Sequence, residues 1–226
     1  MRNSAHHFAG ILSLFVCLSG SAFAAEPQLY ETGPSEESSY VRFVNATDNA
    51  VVVTASKGGA KIELSAGADG RASHFFLVKA GKKLSAAMQS GGRKASVDVT
   101  GKPWEYITIV ALPGSASQLK TMLVRESPDD FNAMRASLAL FNLDATCDAA
   151  VMKGGAKNAT ILDHVKPFSV QRRLVNPIRL AVSVACGAES QGAAADLSQL
   201  EAGERYSVFL LTLKNSRQAF FVRDVN

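Results

Sequence analysis

The chain has 226 residues, with 24 Lys and Arg against 20 Asp and Glu, giving a formal net charge of +4. So small an excess of positive charge excludes a composition-based case for a nucleic-acid partner. Val, Ala, Leu and Ser dominate and glycine recurs at turn-like intervals, which is the composition of an all-β protein.

The first 24 residues read as a secretory signal peptide. Arg2 gives a positive start, "FAGILSLFVCLSG" an apolar stretch, and "SAFAA" an A-x-A site that places cleavage between Ala24 and Ala25. The apolar run falls short of the roughly 20 residues a membrane-spanning helix needs, and no second run follows. A lipoprotein reading would use Cys17, but Val16 before it is too bulky. The expectation is an exported, periplasmic protein. About 200 residues then remain, enough for one large domain or two modest ones. Residues 25–38 form a polar lead-in.

From residue 39 the sequence breaks into short apolar runs separated by turn residues. In the first unit, 39–125, "SYVRFVN", "AVVVTAS", "ASHFFLVK", "LSAAMQS", "KASVDVT", "EYITIVAL" and "LKTMLVRE" read as strands. The pentapeptide KGGAK, at Lys57–Lys61, follows the second of them. Its two glycines supply positive φ for a tight hairpin, and the lysines keep the tip soluble. A phosphate-binding glycine loop would need a helix N-terminus and a Walker or dinucleotide spacing, and neither is present.

Residues 126–134 read as a linker, with Ser127 ahead of Pro128 suited to start one helical turn. The second unit, 135–226, gives "ASLALFN", "DAAVMK", "ATILDHV", "PFSVQR", "IRLAVSVAC", "AADLSQ", "RYSVFLLTL" and "QAFFVRDV". KGGAK recurs at Lys153–Lys157. Asn45 and Asn142 end the first strand of each unit about 97 residues apart, Tyr106 aligns with Tyr206, and Arg125 with Arg223. Agreement over a unit of about 90 residues marks duplicated architecture, so the pentapeptide is a turn repeated with its fold. The fold class expected is two tandem antiparallel β-sandwich domains of similar architecture. Cys147 and Cys186 remain after export. A disulfide closing a loop of about 40 residues, worth roughly 4 kcal/mol, is the expected state, with two separate buried thiols as the alternative.

Candidate chemistry is sparse. Asp163 and His164 are adjacent, so on a regular strand they point to opposite faces and make a poor relay. There is no GxSxG elbow. His74 and His164, without CxxC or HxxxH spacing, offer no metal motif, and no cofactor is implied. His74 itself reads as a half-buried strand residue. Lys79, Lys82, Lys83, Arg93 and Lys94 surround two turns of the first unit, and Arg172, Arg173 and Arg179 lie in the second. Gathered in space they would attract an acidic polysaccharide, and scattered they are ordinary solvated side chains. Trp104, the single tryptophan, is either a sugar platform or interface anchor, or a residue buried at a sandwich corner. Lys82, Lys83, Arg93, Lys94 and Trp104 therefore define a candidate partner or polymer surface.

Four stretches resemble the alginate biosynthesis protein AlgF family: "QLYETGPSEESSYVRFVNAT", "LVRESPDDFNAMRASLALFNLDAT", "LVNPIRLAVSVACG" and "LEAGERYSVFLL". The resemblance spans essentially the mature chain, and its motifs are structural. It implies a periplasmic protein of two β-sandwich domains required for O-acetylation of an exopolysaccharide, alginate or a related polymer. In that pathway a membrane-bound O-acyltransferase exports acetyl groups, and periplasmic SGNH-like acetyltransferases place them on the sugar. The family member would bridge these components without catalysing the transfer. No catalytic position carries over. A carbohydrate-binding module presenting the polymer is the alternative. An acetyl carrier, or an enzyme using a serine or the Asp163/His164 region, is a further one.

Overall fold

The computed structural model describes residues 37–56, 59–127, 132–187 and 192–225. The expected signal peptide, its cleavage point at Ala24 and Ala25, and nearly all of the lead-in lie outside these residues. So do Lys57 and the central part of the expected linker.

Four sheets of four strands form two similar halves. In the first half one sheet has the order β4 (Phe76–Lys79), β1 (Ser38–Asn45), β7 (Tyr106–Leu112), β8 (Lys120–Glu126). The other has β3 (Lys61–Leu64), β2 (Val51–Ala55), β5 (Lys83–Ser90), β6 (Arg93–Thr100). The second half repeats both. Its first sheet is β12 (Ser169–Val175), β9 (Ala136–Asn142), β15 (Arg205–Leu213), β16 (Ser216–Arg223). Its second is β11 (Ala159–Val165), β10 (Ala150–Gly154), β13 (Arg179–Cys186), β14 (Ala193–Gln199).

The runs read from sequence become strands, and β3 adds one that the punctuation hides. It is four residues long, and only Leu64 is fully buried. Pairing is antiparallel except for β1 with β7 and β9 with β15, which run parallel. A parallel pair needs a crossover between its members. Here the chain visits the partner sheet between them. The parallel register also corrects one internal alignment. Tyr40, five residues before Asn45, pairs with Tyr106, while Ser137, five before Asn142, pairs with Arg205. The counterpart of Tyr106 is thus Arg205, and Tyr206 sits one residue further on.

The repeated asparagines do the same work twice. Asn45 is buried, and its Nδ2 donates to the carbonyls of Asn49 and Ser65, both at 2.8 Å. The Nδ2 of Asn142 donates to Cys147 O at 2.7 Å and Val165 O at 2.9 Å. Each side chain ties the end of the first strand to the following turn and to the second sheet. The glycines of KGGAK divide their roles. Gly155 has φ +74 and open space around it, whereas Gly154 lies in β10, where a Cβ would sit 2.9 Å from Ala181 O. Only one of the two supplies positive φ, and the other supplies clearance.

Each half has its own apolar core, and a third core lies between the halves. Val41 and Phe43 face the first core, and Leu138 and Leu140 face the second. The intervening residues Val44, Val110, Phe141, Phe209, Leu211 and Phe220 meet in the third. Phe209 stacks on Phe141 and Phe220, with ring centroids 4.7 and 4.8 Å away. β1, β9 and most of β15 are buried on both faces. Strands covered on both sides read as near-continuous apolar runs, as "YITIVAL" and "VFLL" do.

Candidate functional site

The two basic turns singled out in the sequence lie at opposite ends of one hairpin. Lys83 pairs with Thr100 and Ser90 with Arg93, so the full length of β5 separates Lys82 and Lys83 from Arg93 and Lys94. At the usual strand rise that is roughly 23 Å. Lys83 is ion-paired with Asp98 at 2.9 Å, and Lys79 with Glu37 at 3.1 Å. The Gly81 N–H donates to Gly101 O, which sets this turn beside the turn carrying Trp104. Trp104 is 40% exposed with φ +65, and its N–H donates to Ser38 O. Lys82, Lys83 and Trp104 therefore share one end of the first half.

At the opposite end, Lys94 N–H donates to Ser117 O, and Leu119 N–H donates back to Lys94 O. That bridge sets Lys94 against Gln118, two residues before Lys120. Lys120 lines a cleft of about 250 Å³ between the strand ends of the two halves. Leu112 and Pro113 come from the first half, and Leu143, Phe168 and Leu211 from the second. The polar lining is Asp144, Thr146 and Thr212. Asp144 Oδ1 accepts from the Thr146 amide at 2.8 Å and hydroxyl at 2.7 Å. Its Oδ2 accepts from the Thr212 hydroxyl at 2.9 Å and Arg217 Nε at 2.8 Å. Burial opposes the charge on Asp144, but these donors outweigh it and hold the carboxyl below its ordinary value.

The basic residues of the second half do not form a patch. Arg173 donates to Ile161 O, and Arg179 pairs loosely with Asp196 at 3.7 Å. Arg172 is buried in a charge network between the halves. Its Nε meets Glu126 Oε1 at 2.8 Å, and its Nη2 meets Asp224 Oδ2 at 3.2 Å. Arg42 completes the network with Nη1 on Asp224 Oδ1 at 2.6 Å, Nε on the Thr108 hydroxyl and Nη2 on the Ser207 hydroxyl. Its guanidinium also lies 4.5 to 5.0 Å from the ring centres of Phe75, Phe141 and Phe209. Burial pulls the Arg42 pKa down. For Arg172, burial is outweighed by Glu126 and Asp224, which push it up. Burial likewise disfavours the Asp224 carboxylate, but Arg42 and Arg172 overcome it and hold its pKa low.

A family model described as Alginate O-acetyl transferase AlgF matches residues 12–207. The chain belongs to the AlgF family. Membership supports a role in alginate O-acetylation and in the secreted machinery that performs it. No protein with a curated description matches the chain. Among solved structures, the C-terminal domain of AlgF from P. aeruginosa is 20% identical, covering 40% of this chain and 98% of its own, with a TM-score of 0.34. A candidate cell adhesion protein from Bacteroides uniformis is 11% identical over 84% of this chain and 98% of its own, at TM-score 0.30. A family 26 carbohydrate-binding module from Eubacterium rectale, in complex with maltoheptaose, is 10% identical over 81% and 96%, at TM-score 0.26. Likenesses this distant carry no argument about function.

In this AlgF-family chain the disulfide joins Cys147 to Cys186, with Cα atoms 5.4 Å apart. Asp163 and His164 do not face opposite ways as a regular strand would have them. Two steps on β10, Ala150 to Met152, oppose three on β11, Val165 to Leu162, so β11 bulges at Asp163 and His164 and both are exposed, with His164 at φ +53. His74 is exposed and precedes β4, so it is not a half-buried strand residue. Among the described residues no group of His, Cys, Asp and Glu is placed to hold a metal ion, and no helix is long and apolar enough to cross a membrane. Sequence reading missed Arg42, Asp224 and the role of Glu126, the last residue of β8. The available signal was Arg42 itself, one charge inside the apolar run "YVRFV".

Proposed function

We propose that this chain is a periplasmic accessory protein that holds together the enzymes of exopolysaccharide O-acetylation by protein contacts and does not transfer the acetyl group itself. Its partners in this reading are periplasmic SGNH-like acetyltransferases and a membrane-bound O-acyltransferase. Family membership supports the pathway. The observation that carries the non-catalytic part is the condition of the buried carboxylates. Asp224 is held ionised by two arginines and a serine, and Asp144 by an arginine and two threonines. A general base working near neutral pH needs a pKa near the operating pH and reach to the substrate proton. Both groups have lowered pKa values and oxygens already occupied by protein donors. They stabilise the scaffold.

The end bearing Trp104, Lys82 and Lys83 is the contact face in this reading. A partly exposed tryptophan is the residue type most enriched at interface anchors, and the lysines of the neighbouring turn would form its polar rim. The test is the acetyl-ester content of exopolysaccharide from cells lacking the gene, with and without a restored copy, together with capture of an acetyltransferase by the purified protein. Loss of acetylation with polymer yield retained, and capture that Trp104→Ala weakens, support the reading. Unchanged acetylation sinks it. Acetylated protein, detected by a mass shift, would make the chain an acetyl carrier instead.

A further inference from the structure

We infer that the outer edge of β4 is a docking edge for an extended segment of a partner protein, which joins the sheet as a further strand. β4 ends its sheet, with β1 on one side and no strand on the other among the described residues. Tyr40 N–H turns to Glu105 O, on the β7 side, so its neighbours Ser39 and Val41 turn their backbone groups to β4. Their partners Val78 and Phe76 are satisfied there, and Leu77 between them points its N–H and C=O away from the sheet. The outer edge is already used once, where Phe75 N–H donates to Val225 O at 3.0 Å as part of the contact between the halves. Leu77, the next residue to face outward, has no backbone partner among the described residues. The side chains along this edge are apolar and open, with Leu77 53%, Phe76 39% and Val225 42% exposed.

The second half shows the same edge closed. Counted back from Asn45 and Asn142, Leu77 corresponds to Leu174 of β12, and Phe76 to Arg173. The Arg135 guanidinium donates to Leu174 O and Val175 O, and Arg173 Nη1 donates to Ile161 O at 2.8 Å, tying β12 to the other sheet. Charged side chains on an edge strand are a usual protection against strand addition. The first half has Ser38 in place of Arg135 and Phe76 in place of Arg173, so it lacks both. The open edge also specifies its occupant. Consecutive residues of an added strand face opposite sides, so one covers Phe76, the next covers Leu77 and Val225, and both are apolar. Beyond Lys79 the turn carries Lys82, exposed and without an ion pair among the described residues. It matches an acidic residue at that end of the segment. The edge is continuous with the Trp104 end, because Ser38 pairs with Lys79 and accepts from the Trp104 N–H. The inference rests on the accessory reading only in taking an acetyltransferase as the first partner to try.

The experiment places a photoreactive phenylalanine analogue at position 77, and separately at position 173, in the full chain expressed in cells that make the acetylated polymer. Crosslinked peptides are then mapped by mass spectrometry. The expected result is adducts at 77 to one segment of one other protein, with two neighbouring apolar residues and an acid close by, and none at 173. Leu77→Pro removes only the outward N–H and keeps the ladder with β1. It should weaken capture of that protein about tenfold with Tm nearly unchanged. Leu77→Lys, which leaves the backbone intact, and Phe76→Arg, which copies the second half, should each weaken capture severalfold. Lys82→Gln should weaken it at low salt only. No adduct at 77, adducts only within this chain or to a second copy of it, equal adducts at 173, or wild-type capture by both Leu77 variants would each overturn the assignment. The two readings fail separately. Acetyltransferase capture weakened by Trp104→Ala but by neither Leu77 variant rejects the edge alone. A mapped adduct at 77 with acetylation unchanged in cells lacking the gene rejects the accessory role alone.

Discussion

Removing the Asp224 carboxylate tests whether the halves are held by a network that has no slack. The side chains of Arg42 and Asp224 are each 1% exposed, and Asp224 accepts from Arg42, Arg172 and Ser207. Asp224→Ala deletes all three acceptor contacts at once. Arg172 keeps Glu126, but Arg42 is left with two hydroxyls and three aromatic rings for a buried charge. Breaking one side of a buried ion pair costs about 3–5 kcal/mol, mostly from the stranded partner. For a chain of this length that lowers Tm by about 6–20 °C. Urea unfolding with an unchanged m-value, together with calorimetry, measures it. A double variant, Arg42→Met with Asp224→Ala, should recover most of the loss, because the stranded charge goes too. The pH dependence has a definite sign. The folded pKa of Asp224 is depressed, so its contribution is present above the unfolded carboxylate pKa near 4 and disappears as pH falls through the folded value. The gap between wild type and Asp224→Asn should therefore close below about pH 4. A cost under about 1 kcal/mol for Asp224→Ala, or a double variant no better than the single, refutes the reasoning.

Reducing Cys147–Cys186, or replacing both with serine, should destabilise the fold by about 2–5 kcal/mol, read as a Tm difference with and without reductant. Asn45→Ala and Asn142→Ala should each cost about 1–3 kcal/mol in denaturant unfolding, because two or more backbone carbonyls lose their donor in each case. Near-neutral values would mean that water replaces these side chains. Gly154→Ala should destabilise by about 1–3 kcal/mol through contact with Ala181 O and the Ile161 and Leu180 side chains. Gly155→Ala should cost about 1–2 kcal/mol through its positive φ alone, so Gly155→Asn should be milder while Gly154→Asn should be worse. Equal responses to asparagine at the two positions would contradict this division.

The fold was largely legible because the repeat supplied two readings of each element. Asn45 and Asn142 keep the same polar duty, and turn chemistry divides the strands correctly wherever glycine or Asn/Asp punctuates them. Legibility failed where a strand is too short to carry a pattern, as in β3, and where the period of two is broken by a bulge at Asp163 and His164. It also failed at the parallel register of β7 and β15, since a crossover leaves no local mark and the matching tyrosines suggested the wrong alignment. The candidate surface was legible only as a set of residue types. Strand direction decides that Lys82 and Lys83 go with Trp104 while Lys94 goes with Gln118 at the opposite end, and no local pattern states that.

The contact between the halves was the least legible feature, and duplication explains why. Two copies of one sheet offer the same apolar face, so the repeat predicts that those faces pack no better against each other than each against its own copy in a second chain. What distinguishes the halves is where the repeat breaks. Arg42 stands where the second half has Ala139, five residues before the β1 and β9 turns reach Thr47 and Asp144. Thr108 and Ser207, at matching positions of β7 and β15, converge on that one arginine from the two sides. An arginine buried against a second copy of the first half would meet another arginine, with Glu126 in the place of Asp224. The charge network disfavours the mismatched pairing through that like-charge contact, a registry role that some buried ion pairs have. The substitution that hides the interface from a search for repeats is the one that makes it specific.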